Sequence, residues 1–118
     1  MKIENQVCTL EQAKKLNALG VTQSESYFSY QGDHSYDPAL KSDDSDNYSA
    51  FNVAELGVML PTSAYIPVLI SPLAGGNYWS GIGSRNSCEA HARAEALIYV
   101  LEKNLTTSEE VNQRLLNA

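Results

Sequence analysis

Cys88 and His91 stand three positions apart, a thiol and an imidazole close enough in sequence to act together. On a helix that spacing puts both side chains on neighbouring parts of one surface. In a first turn, free backbone amides and the helix dipole lower a thiol's pKa, and the histidine can then serve as base for nucleophilic chemistry. Such a dyad also needs an oxyanion site and a group that orients the base, and neither is written here. The plainer expectation is a small, half-buried cysteine beside an exposed helical histidine. Cys88 and His91 stay weak catalytic candidates, and the sequence favours a protein that is not an enzyme.

Metal chemistry has thin support. Cys8, His34, Cys88 and His91 exhaust the soft ligands, and only the last two are close in sequence, whereas structural zinc sites show two close pairs. An EF-hand alignment puts Asp44 first, Asp46 third and Glu55 twelfth, but Ser49 stands where the turn-making glycine belongs. No metal and no cofactor is expected. Gly81-Ile82-Gly83-Ser84-Arg85-Asn86-Ser87 leaves an expected strand and opens a helix. Glycines there allow close backbone approach, and Gly81, Gly83, Ser84 and Arg85 become candidates for holding a phosphate or carboxylate. The lysine of a P-loop and the third glycine of a dinucleotide fingerprint are missing, which favours an ordinary strand-to-helix turn.

The aromatic residues point to binding. Tyr27, Phe28, Tyr30, Tyr36, Tyr48 and Phe51 precede a hairpin that carries Tyr78 and Trp79. Tyrosine and tryptophan give contact area at low entropic cost and are enriched in interfaces. Phe51 is expected in the core, and strand alternation turns one of Tyr27 and Phe28 inward. Tyr27, Tyr30, Tyr36, Tyr48 and Trp79 are the candidate interface.

Helices must position these groups. Thr9-Leu10-Glu11-Gln12 is a capping box, followed by Leu10, Ala13, Leu16 and Leu19 at helical spacing and by Gly20 as a left-handed stop. Asn52-Val53-Ala54-Glu55 opens a second, short helix, which Pro61 ends near Met59. A long helix is expected from about 87 to 103, with Ala90, Ala94, Leu97, Ile98, Leu101 and Leu105 inward and Asn104 at its end. Thr107 caps a last helix with Val111, Leu115 and Leu116 inward. Strands are expected at 27–30, 64–70 and 77–82, the last two as a hairpin around 72–76 with Pro67 at an edge or bulge. Every aspartate lies in 32–47, an acidic loop with room for a short edge strand near Leu40. The expected fold is one α+β domain over 1–118: a small antiparallel sheet of three to four strands, helices packed on one face, and a C-terminal αα-hairpin.

Composition narrows the functions. The chain has 118 residues and a net charge of −6, from 8 basic and 14 acidic side chains. Without a basic run it has little to offer a phosphate backbone, so neither nucleic acid nor an anionic membrane is an expected partner. Two cysteines without framework spacing and an N-terminus lacking an apolar stretch point to the cytoplasm. A monomer or a homodimer is expected.

Three stretches carry a family resemblance: Val7 to Leu16 with its Gly20-Val21 stop, Tyr48 to Gly57 with Met59-Leu60-Pro61, and Glu89 through Ala92-Arg93-Ala94 and Leu97-Ile98-Tyr99 to Asn104-Leu105. Together they resemble short, uncharacterised proteins encoded by phages, prophages and mobile elements of Bacteroidetes. Asn52, Val58 and His91 depart from that pattern. The resemblance implies a genomic setting and brings no catalytic residues; the expected partner is a host or phage protein, met through the tyrosine-rich face with the acidic loop. The expectation is a non-enzymatic accessory protein that binds another protein. The alternatives are an anionic-ligand or nucleotide binder at 81–87 and a thiol enzyme at Cys88 and His91.

Overall fold

Thr9, Asn52 and Thr107 each accept, through the side chain, the backbone amide three residues on, and each opens a helix. A computed structural model describes residues 6–23, 26–31, 39–40, 47–60, 70–72, 78–80, 85–86 and 88–117. Its helices are α1 (Leu10–Ala18), α2 (Val53–Met59), α3 (Glu89–Glu102) and α4 (Ser108–Leu116). The boxes at Thr9 and Asn52 are complete, with Gln12 and Glu55 reaching back to the cap amides. α1 stops at Gly20, whose φ of 96° lets the Val21 amide reach Leu16 O at 3.0 Å. Asn104, with φ 57°, ends α3 in the same way: Leu105 N donates to Val100 O at 2.9 Å. α2 ends at Met59, before the proline, as expected.

The strands are β1 (Phe28–Gln31), β2 (Ala39–Leu40), β3 (Asn47–Ala50), β4 (Ile70–Pro72), β5 (Tyr78–Ser80) and β6 (Arg85–Asn86). The expected single sheet of three or four strands does not form. β2-β1-β3 and β4-β5-β6 are separate antiparallel sheets, and only the β1–β3 pairing extends over four residues. A physical reason lies at the outer edge of β3, where the Ser49 amide donates to Gln23 Oε1 at 2.7 Å. The Cys8 thiol turns to Ser49 O at 3.9 Å, and Cys8 N donates to Phe51 O at 2.9 Å. Those backbone groups are occupied, so no further strand can join there.

Covering this sheet on one face alone is also incorrect. Ser29 and Ser49, which pair across the strands, are 1% and 2% exposed, yet Tyr30 and Ala50 on the opposite face are buried as well. α1 packs on β3, whereas α3 packs on β4, β5 and β6.

The C-terminal αα-hairpin needs a similar correction, because α4 makes its main contacts with α2. Two polar clamps explain its direction. Arg114 donates to Met59 O at the end of α2, and Asn112 brackets the α1 stop by accepting from Thr22 N at 2.7 Å and donating to Gly20 O at 3.0 Å. Phe51, Leu16, Leu56, Met59, Leu97, Val100 and Val111 fill the core. Leu105 and Leu116, expected inward, are 44% and 55% exposed.

Candidate functional site

Cys88 forms the N-cap of α3, and its side chain makes no capping hydrogen bond. It is buried, and that burial raises the thiol's pKa, against the opposing pull of the His91 and Ala90 amides. The first-turn environment expected to generate a thiolate is thus outweighed by desolvation. His91 is half-buried on the first turn of α3, where its carbonyl accepts from Gln12 Nε2 at 3.1 Å.

Cys8 lies deeper. It is fully buried between α1 and β3, and desolvation pushes its pKa up to about 12. A protonated thiol suits its role as a donor to Ser49 O. Among the described residues, no three His, Cys, Asp or Glu side chains gather to hold a metal ion. His34 lies outside those residues.

The EF-hand alignment fails on geometry, because residues 47–50 are strand β3 and Glu55 is committed elsewhere. Glu55 Oε1 accepts from Asn52 N at 2.8 Å, and Oε2 accepts from Tyr27 N at 3.1 Å. Asp44 and Asp46 fall outside the described residues. So do Gly81, Gly83 and Ser84, and the side chain of Arg85. The backbone of Arg85 pairs with Trp79 in β6, so a third strand occupies part of the expected turn.

The candidate interface divides. Tyr27 is 70% exposed, and its amide is pinned by the buried Glu55 carboxylate. Phe28, the next residue, packs against the core, as alternation predicts. Tyr30 is corrected: it is 3% exposed and its hydroxyl donates to Cys8 O at 2.5 Å, so it holds β1 to the start of α1. Tyr48 is half-buried, with Lys14 Nζ 5.9 Å from its ring centroid. Tyr36 and the Trp79 side chain lie outside the described residues.

Some groups were not singled out from the sequence. Gln12 was legible as a capping residue, but nothing in its spacing indicates that its amide nitrogen also reaches Glu95 Oε1, at 2.9 Å. Tyr99, 37% exposed on α3, was hidden among residues of an apolar helix. A groove of about 550 Å³ between α2 and α4 is lined by Val58, Glu110, Gln113, Arg114 and Asn117. The guanidinium of Arg114 in this groove is engaged by Met59 O and Thr106 Oγ1, so it serves the fold.

Comparison with protein-family models, curated proteins and solved structures yields no match. Among the described residues, no helix is long and apolar enough to cross a membrane.

Proposed function

We propose that this chain is a small binding protein, without catalysis of its own, that engages another protein through a surface centred on Tyr27. The observation that carries this reading is the pairing of a 70% exposed ring with a fixed backbone, because Glu55 anchors the Tyr27 amide to the start of α2. A rigid, exposed aromatic loses little entropy on binding and is the kind of residue that dominates interface energetics. The acidic balance of the chain, with a net charge of −6, favours a basic partner. The sequence supplies the remainder of the proposal: a phage or mobile-element origin from the resemblance, a cytoplasmic setting from two cysteines without framework spacing, and a host or phage protein as target.

The test is a photo-crosslinking amino acid at position 27, expressed in a bacterial host of the type the resemblance indicates. One discrete adduct to another protein is expected, and Tyr27→Ser should weaken retention of that protein by at least about 30-fold while leaving thermal stability unchanged. Absence of any adduct at 27, or equal retention by Tyr27→Ser, removes the reading.

A further inference from the structure

Glu95, Tyr99 and Glu102 succeed one another at helical spacing along the outer side of α3, with Lys103 at its end. A shallow groove of about 150 Å³ follows this stripe, lined by Lys15 of α1 and by Glu95, Ile98, Tyr99, Glu102 and Lys103. Two lysines and two glutamates ring one exposed aromatic, so the patch is neutral on a chain whose net charge is −6. These four charges form no salt bridge with one another; further toward the start of α3, Arg93 pairs with Glu89 at 3.4 Å. Two copies that meet on this patch bring no net local charge together.

We propose that this face is a homodimer interface, closing on a second copy of the chain about a twofold axis through Tyr99. In an isologous contact, a patch must be complementary to itself. When two α3 helices run antiparallel about that axis, each residue before Tyr99 meets the residue equally far beyond it in the partner. Glu95 precedes Tyr99 by four positions and Lys103 follows it by four. The alignment therefore creates two Glu95–Lys103 pairs, one on each side of the stacked tyrosines. Glu95 Oε1 is held by Gln12 Nε2, which fixes the carboxylate for this contact. A helix of 14 residues is about 21 Å long, so one such face and the edge of α1 make a small interface with an affinity of micromolar order. The surface differs from that around Tyr27, and neither proposal depends on the other.

Sedimentation velocity of the full chain from about 1 to 500 μM should show a reversible monomer–dimer equilibrium in the micromolar range that small interfaces reach. Lys103→Glu places like charges at both rim positions and should weaken dimerisation about tenfold. Adding Glu95→Lys should restore it, with circular dichroism confirming that both variants are folded. Tyr99→Cys should link to itself under mild oxidation far faster than Tyr27→Cys, since only position 99 meets its own copy at the axis. A monomer throughout the range, a dimer indifferent to Lys103→Glu, or equal crosslinking at 99 and 27 each overturns the proposal.

Discussion

The Arg114 guanidinium crosses from α4 to the carbonyl oxygen of Met59 and donates to it twice, from Nε at 3.0 Å and from Nη2 at 2.8 Å. Helix α2 ends there because the chain runs into a proline, leaving last-turn carbonyls without helical partners at the negative end of the dipole. A cation from a distant helix completes that end. Arg114→Ala should destabilise the fold by about 2–3 kcal/mol, the range for a hydrogen bond to a charged group with its partner left buried. Arg114→Lys should recover only part of the loss, because an ammonium cannot reproduce the fork. Urea unfolding of the variants checks both.

Gln12 closes the capping box of α1 with its oxygen and ties α1 to α3 with its nitrogen, which donates to His91 O and Glu95 Oε1. A glutamate serves a capping box equally well, yet here it turns an acceptor toward a carbonyl and a second carboxylate. Gln12→Glu should therefore cost roughly 2 kcal/mol at neutral pH, as expected when buried polar partners are mismatched. Two carboxylates then face each other across the helix contact, and a proton shared between them relieves the mismatch in the folded variant. Part of the loss should be regained as pH falls below about 5. An unfolding series from pH 4 to 8 that runs parallel to wild type refutes this account.

Burial lifts the Cys8 pKa from an ordinary 9.0 to about 12. A group whose folded pKa is the higher favours the folded state while protonated, and that contribution is full below pH 9. It declines at ~1.4 kcal/mol per pH unit above about 9 and is exhausted near the folded value. Relative to wild type, Cys8→Ala should lose stability more slowly between pH 9 and 11, after an initial cost of about 1 kcal/mol for the lost packing. Native protein at pH 8 should also resist thiol labelling at Cys8 until denaturant is added.

Two helix ends of like geometry should respond in opposite directions. Gly20 has φ 96°, and a Cβ there would lie 3.0 Å from Ser108 Oγ on α4, so Gly20→Ala should cost about 1–2 kcal/mol. Asn104 takes φ 57° with an open, exposed side chain, so Asn104→Gly should be neutral or stabilising by up to about 0.5 kcal/mol. Melting temperatures of the two variants decide the matter.

The helices were readable because their punctuation is local. Thr9, Gly20, Asn52, Asn104 and Thr107 act within a few residues of themselves, and each stands where its spacing places it. The sheets were not, since their division depends on contacts between distant segments. Nothing in Gln23 or Cys8 declares that they will occupy the edge of a strand at 47–50, and a two-residue strand such as Arg85–Asn86 leaves no periodicity to read. The aromatic face was legible in part: alternation puts Tyr30 on the same side of β1 as the inward Phe28, but no spacing shows that its hydroxyl will find Cys8 O.

Asn112 and Arg114, in the second half of α4, fasten the trailing ends of α1 and α2. On the ribosome, these two helices are thus made well before the groups that tie them down exist. Lasting protection of those helices from proteases should coincide with emergence of residues 112–117, so that ribosome-stalled nascent chains ending before residue 112 stay open to digestion while chains that include them do not.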